Sequence, residues 1–180
     1  NLFGPAFLTR QLLPLLREAE GKVLFISSTF GFTGFPLSSV YCSSKFAIEG
    51  LAESLYYELQ PHKVQVGIIE PGGFRTRFGQ NAKWGTRSHD STSPYYLQSE
   101  NYRLFKQNLG YRKGNDPSAV AKLVVKTAMQ KNVKLRQRAG SDSSIAYFLR
   151  KVLPETMFQL AWSKICRNIF LRETKQRTGT

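Results

Sequence analysis

KVLFISS at 22–28 and VQVGIIE at 64–70 are apolar, β-branched runs with a single helical stretch between them. Runs with so little polar alternation suit strands buried on both faces. The intervening stretch, from about Leu37 to Leu59, reads as a helix ended by Pro61, since proline disrupts a helix interior. Strand, helix, strand in this order is a parallel crossover unit, right-handed by rule. It confines the chain to the α/β class, in which a parallel sheet needs neighbours and helices on both faces.

The rest of the chain extends this pattern. Residues 2–19 read as an amphipathic helix with Phe3, Phe7, Leu12, Leu13, Leu15 and Leu16 at helical intervals, broken by Pro14. A helix is expected from Pro117 to Gln130, with Asp116 as N-cap and proline in the first turn. VKLRQR at 133–138 reads as a short strand near a sheet edge, given its charge, and the tail from Asp142 to about Arg172 as one or two helices broken near Pro154. There is no internal repeat and no low-complexity tract.

Tyr41 precedes Lys45 by four residues on the helix of the crossover unit, and Ser28 lies thirteen residues upstream at the end of the first strand. Spacing of four places phenol and ammonium on one helix face, one turn apart. A neighbouring ammonium favours the phenolate and lowers the phenol's pKa, each unit being about 1.4 kcal/mol of bias. A tyrosine tuned in this way can exchange a proton with an alcohol, while a serine hydroxyl holds the reacting oxygen. The chemistry is that of alcohol and ketone.

The bare spacing is weak, because Tyr102/Lys106 and Tyr147/Lys151 repeat it. Both repeats read as surface pairs. Thirteen residues upstream of them stand His89 and Lys134, so only Tyr41 has a serine there. Ser38, Ser39, Ser43, Ser44 and Ala47 around Tyr41 let a helix approach a ligand closely.

Asn1–Gly4 as an Asn-x-x-Gly helix start, Ser27–Ser28 at a strand end, Tyr41–Lys45, then Pro71–Gly72 with Thr76 beyond resemble, in order and spacing, the core of the short-chain dehydrogenase/reductase family over roughly residues 1–80. RQRAGSD at 136–142 and LPE at 153–155 loosely resemble its 17β-hydroxysteroid and retinol dehydrogenase-like branch. The resemblance implies a Rossmann-like, doubly wound parallel sheet and a nicotinamide cofactor, NAD or NADP. It implies Tyr41 as general acid/base and Ser28 as hydrogen-bond partner of the substrate oxygen. Lys45 would lower the Tyr41 pKa and bind the nicotinamide ribose, and Asn1 would hold a water that joins Lys45 to a proton relay. Pro71 and Gly72 would line the nicotinamide, with the Phe74 backbone and the Thr76 hydroxyl meeting its carboxamide. Independently, EPGG after the second strand is a turn at a strand's C-terminal end, where ligands bind in open α/β sheets.

No Gly-rich phosphate loop of the dinucleotide-binding type follows a strand in this sequence. The glycines of GFTGF at 31–35 suit a loop beside the site better than a phosphate cradle. The expectation is the C-terminal portion of a Rossmann-like domain, its Gly-rich N-terminal half lying upstream of Asn1. Such a portion alone would be inactive, with most catalytic groups and about half a cofactor site. Residues 1–72 form the expected catalytic core, 73–115 a substrate-binding lid, 116–140 a helix and the last strand, and 141–180 a helical extension.

Residues 73–115 hold Phe74, Phe78, Trp84, Tyr95, Tyr96, Tyr102, Phe105 and Tyr111 in a region without regular pattern. Long loops are usually functional or disordered, and this aromatic content argues against disorder. An apolar lid over a bulky hydrophobic alcohol or ketone and ordinary packing of an insertion are the two readings. The last helix carries Phe158, Ala161, Trp162, Ile165, Ile169 and Phe170 on one side and Lys164, Arg167, Asn168 and Arg172 largely on the other. That pattern fits a helix covering the domain or a subunit interface, and also a membrane-surface helix.

Formal net charge is +14, unevenly placed: residues 1–90 carry nine Lys/Arg against seven Asp/Glu, and residues 91–180 seventeen against five. The cations of the basic half are scattered and accompany no nucleic-acid-binding motif, which leaves salt-sensitive association with polyanions and no specific nucleic-acid partner. Cys42 and Cys166 have neither CxxC spacing nor a disulfide framework, and Cys42 reads as a packing residue. His62 and His89 read as surface residues without ligand spacing, so no metal site is expected. No apolar run reaches the length of a membrane span. A cytoplasmic setting, with membrane association through the last helix as a variant, is the expectation. The implied partners are a small hydrophobic alcohol or ketone and a second copy of the chain. A dimer or tetramer would pair through the helices at 2–19 and 37–59. The competing functional reading is a non-catalytic binding or regulatory protein on the same scaffold, and retention of Ser28, Tyr41 and Lys45 together argues against it.

Overall fold

The computed structural model describes residues 1–79, 81–107 and 114–171, with side chains to Asn168. Tyr111, Arg172 and the side chains of Ile169 and Phe170, which entered the expectations above, lie outside that description. The chain divides into two compact units: residues 1–72 with 118–147, and residues 73–117 with 148–180.

The first unit is a parallel α/β layer structure. Helix α1 (Phe3–Glu18) leads into strand β1 (Lys22–Ile26), helix α2 (Ser39–Glu58) and strand β2 (Gln65–Pro71). After the chain returns from the second unit, helix α4 (Ser118–Met129), strand β3 (Arg136–Ala139) and the start of helix α5 (Ser141–Val152) follow. The sheet order is β1-β2-β3, with β1 on β2 in register Lys22↔Gln65 to Ile26↔Ile69, and β2 on β3 from Ile68↔Arg136 to Pro71↔Ala139. The sheet is parallel, as the crossover reading required, and the charged β3 stands at its edge among the described residues.

Phe25, Ile48, Ala52, Leu59, Val64, Val66 and Ile68 form the core, and Leu13 and Leu16 of α1 pack against it. Gly67 gives β2 room between its neighbours. A Cβ there would meet Val133 Cγ1 at 2.7 Å and Leu24 Cδ2 at 2.8 Å. Contacts far apart in sequence fasten the layers. Lys22 Nζ donates to the carbonyls of Ala128 and Gln130 at 2.8 and 2.6 Å, at the end of α4. Gln65 donates to the Lys131 carbonyl and accepts from Val133 N at 2.8 and 2.7 Å.

The structure corrects the expectation of a break at Pro14. Helix α1 runs through it. Proline removes the N–H that would meet the Arg10 carbonyl, but Arg10 and Pro14 are both exposed, so water can take that acceptor. The helix also buries Thr9 rather than its aromatics, and Phe3, Phe7 and Leu15 are exposed.

In the second unit, a 3-10 turn at Thr86–His89 precedes helix α3 (Tyr96–Gln107), and helix α6 (Glu155–Leu171) follows the end of α5. Helix α3 is a correction to the patternless reading of 73–115. Its sequence YLQSENYRLFKQ is polar, and the helix packs on α6; Ser99, Asn101 and Tyr102 are buried. Tyr102, only 2% exposed, is not the surface residue expected from its pairing with Lys106. It lies edge-on to Trp84 at 5.8 Å and stacks on Phe105 at 6.3 Å. Arg103 covers Trp84 at 5.1 Å and bonds to Glu100 and the Ser88 carbonyl. In α6, Phe158 and Cys166 are buried, Phe158 stacks on Trp162 at 5.8 Å, and Lys164, Arg167 and Asn168 are exposed. Among the described residues no helix is long and apolar enough to cross a membrane.

Candidate active site

Strands β1 and β2 end side by side, and the site is built just beyond them. Ser27 N bonds to the Ile69 carbonyl at 2.8 Å, and Gly72 N to the Ala139 carbonyl at 2.9 Å. Ser28 and Gly72 therefore sit just past the carboxyl ends of neighbouring parallel strands, and Pro71 at the end of β2, on the ligand-binding side of such sheets. Thr29 Oγ1 ties the two ends together by donating to the Pro71 carbonyl at 3.3 Å. Ser28 caps the 3-10 turn Thr29–Gly31 by accepting from Phe30 N at 3.2 Å.

Helix α2 brings the other groups to this edge. Tyr41, in its first turn, shares a side-chain hydrogen bond with Ser28, and the Phe30 ring lies edge-on to it at 6.1 Å. One turn later Lys45 places Nζ 5.8 Å from the Tyr41 ring centre and donates to the Ile26 carbonyl at 2.8 Å. Asn1 Nδ2 donates to Ser44 Oγ at 3.2 Å, and Ser44 Oγ donates to the Tyr41 carbonyl at 2.7 Å. Four residues singled out from the sequence, Asn1, Ser28, Tyr41 and Lys45, thus meet around the start of α2. Pro71 and Gly72 belong to the same unit. Phe74 and Thr76 belong to the second unit, where Phe74 pairs with Asn115 in a parallel bridge and Thr76 Oγ1 accepts from Phe78 N at 3.3 Å.

The electrostatics depart from the expectation that Lys45 lowers the Tyr41 pKa. Burial holds the Tyr41 phenol above its usual value, the Ser28 hydrogen bond opposes that, and Cys42 adds to it. Burial is the largest cause, and the Lys45 ammonium is directed to the Ile26 carbonyl. Burial also lowers the Lys45 pKa, against the attraction of Glu49.

Sequence reading missed a buried ionic cluster behind this face. Arg136 Nε donates to Glu49 Oε2 and its Nη2 to Glu53 Oε2, each at 3.0 Å. Arg138 Nη1 donates to Glu70 Oε2 at 3.1 Å, and Arg136 Nε lies 3.8 Å from Glu70 Oε1. Glu70 directly precedes Pro71 and is fully buried. Burial, with the like charge of Glu49 next, pushes its pKa to about 7 against Arg138 and Arg136. The available signal was an acidic residue in an otherwise apolar strand, answered by two arginines in the charged strand VKLRQR. Gly31 packs on Ser27 and Glu49, which accounts for one glycine of GFTGF by close approach.

His62 and His89 are exposed, Cys42 is buried, and no group of metal-ligating side chains occurs among the described residues. A nicotinamide ribose fits the donor set. One ammonium proton of Lys45 is committed to Ile26, which leaves two for ribose hydroxyls. Ser28 and Tyr41 supply hydroxyls beside it. No Gly-rich strand-to-helix turn for a pyrophosphate occurs among the described residues.

A parallel sheet flanked by helices, with hydroxyl, phenol and ammonium gathered past its strand ends, defines a partial Rossmann-like α/β fold. The family described as short chain dehydrogenase matches residues 1–85. The chain is 33% identical to the uncharacterized oxidoreductase YusZ of Bacillus subtilis (strain 168) over 93% of this chain and 59% of the relative. It is 32% identical to retinol dehydrogenase 7 of Rattus norvegicus over 86% of this chain and 51% of the relative. A solved short-chain dehydrogenase from Streptomyces avermitilis is similar with a TM-score of 0.66 and 32% identity, covering 92% of this chain and 58% of that one. The family match and these relatives together support a member of the short-chain dehydrogenase/reductase family. It spans between about half and three-fifths of the length of these relatives.

Proposed function

We propose that the protein is an NAD(P)-dependent oxidoreductase that interconverts a hydrophobic alcohol and its carbonyl. The observation that carries this reading is the Ser28–Tyr41 hydrogen bond with Lys45 one turn away on the same helix face. Ser28 holds the reacting oxygen and Tyr41 moves its proton. In carbonyl reduction the Tyr41 O–H is donated to the oxygen; in alcohol oxidation the phenolate takes the hydroxyl proton. A nicotinamide bound there would supply the hydride for the carbinol carbon, or take it up. Lys45, Pro71 and Gly72 would hold it, and Asn1 would order a proton-carrying water beside Ser44.

Burial keeps Tyr41 protonated through the neutral range, so reduction proceeds at neutral pH and oxidation accelerates as pH rises. A bulky apolar substrate is favoured by the aromatic residues that follow Pro71–Gly72 in the chain and by likeness to a protein named as a retinol dehydrogenase. Pairing of two copies through the exposed apolar residues of α1 and α2, among them Phe3, Phe7, Val40 and Phe46, completes the proposal.

The test is Tyr41→Phe in the protein expressed from its full reading frame, assayed with NAD(H) and NADP(H) and a panel of hydrophobic alcohols and ketones. Loss of the acid/base is expected to lower kcat by about 10²–10⁴-fold. Undiminished turnover would sink the role given to Tyr41.

A further inference from the structure

Tyr41, Lys45, Glu49 and Glu53 stand at successive intervals of four on α2, so they share one face. Glu49 is 7% exposed, and its Oε2 is fixed by Arg136 of β3. Its other oxygen, Oε1, has no hydrogen-bond partner, and neither does the buried Ser27 Oγ. A Cβ at Gly31 would meet both, so glycine there lets the carboxylate approach this closely. A buried carboxylate with an unmet oxygen is costly. An arginine clamp alone does not account for it, because Glu53 satisfies the same guanidinium from a more exposed position.

Lys45 stands one turn back on the same face, where Glu49 acts on its charge. We infer that Glu49, fixed by Arg136, is a positioning residue that acts through Lys45: its buried carboxylate is the counter-charge that keeps the ammonium seated on the Ile26 carbonyl. The groups that face Lys45 are Tyr41 and Glu49 from α2 and the Ile26 carbonyl from β1. Glu49 in turn faces Arg136 from β3, Glu70 from β2 and Ser27 from β1. Burial lowers the proton affinity of Lys45, and Glu49 opposes this. The inference rests on the role proposed for Lys45, which needs a charged donor for a ribose hydroxyl.

The experiment is Glu49→Gln in the protein expressed from its full reading frame. Acylation of Lys45 by a lysine-selective reagent is followed across pH by mass spectrometry of the peptide that contains it. The midpoint is expected to fall by about half a pH unit or more, while Glu53→Gln leaves it in place. Should Glu49→Gln fail to fold because Arg136 loses a partner, the double variant Glu49→Gln/Arg136→Met removes both charges. It is expected to show a fall in the same direction, since the counter-charge on Lys45 is removed there too. A midpoint equal to the parent's, or an equal fall in Glu53→Gln, overturns the inference. The readout needs no turnover. If the parent oxidises and reduces nothing, the functional proposal fails and the Lys45 midpoint still decides this one.

Discussion

The Lys45 ammonium donates to the backbone carbonyl of Ile26, the last residue of β1, at 2.8 Å. A flexible helix side chain is thereby anchored to the end of the sheet, so the position of the charge depends on how α2 packs rather than on the lysine's own rotamers. That anchoring, with the Ser28–Tyr41 hydrogen bond, makes a site from residues that are nineteen positions apart at their widest, Ile26 to Lys45.

Lys45→Met is expected to lower kcat/KM by about 10²-fold or more, as loss of a group that acts in proton transfer does. The same variant loses one charge-assisted hydrogen bond to a carbonyl, so its unfolding free energy should fall by only about 1 kcal/mol. Lys45→Arg keeps the charge but presents a planar fork instead of a point donor, and it should not restore the rate. Steady-state kinetics beside urea denaturation separates the two effects.

Glu70 makes stability depend on pH. Its folded pKa of about 7 stands above the usual 4.5, chiefly through burial. The folded state therefore holds this proton more tightly than the unfolded chain does. The contribution is complete below about 4.5 and is lost as pH rises through about 7. Between pH 4.5 and 8 the parent should lose up to about 3 kcal/mol relative to Glu70→Gln. Urea unfolding of both proteins at pH 5, 6, 7 and 8 measures the difference, and a difference constant with pH would refute the assignment.

Gly67→Ala should destabilise by about 1–3 kcal/mol, the usual cost of overpacking a tight core. The added Cβ would press on Val133 and Leu24, which flank β2 from both sides. Chemical denaturation is the check, and an unchanged midpoint would mean that both neighbours can withdraw.

Lys22→Met should cost about 1–2 kcal/mol, because two carbonyls at the end of α4 lose their charged donor. Amide exchange should rise at the C-terminal turn of α4 while the core of β2 keeps its protection. Uniform loosening throughout the unit would contradict a local capping role.

The crossover unit and the Ser28, Tyr41 and Lys45 trio were legible in the sequence because strand burial and helix spacing are local properties. Helix α3 was not, since YLQSENYRLFKQ is polar on average and its packing on α6 is a long-range contact. The unbroken course of α1 through Pro14 was hidden for a similar reason: the outcome turns on whether the freed carbonyl faces water. Nor was the cluster of Glu49, Glu53, Glu70, Arg136 and Arg138 visible, although each residue was in plain view.

The sequence by itself determined the α/β class, the parallel crossover and the spacing that sets Tyr41 and Lys45 on one helix face. Periodicity and chain order are sufficient for those. Only the tertiary structure decided that Lys45 turns to the Ile26 carbonyl, that burial raises rather than lowers the Tyr41 pKa, and that Glu49 is buried against Arg136. Those outcomes depend on distances between segments up to 87 residues apart (Glu49 to Arg136). Solvation and charge act through space, and the order of residues along the chain does not contain them.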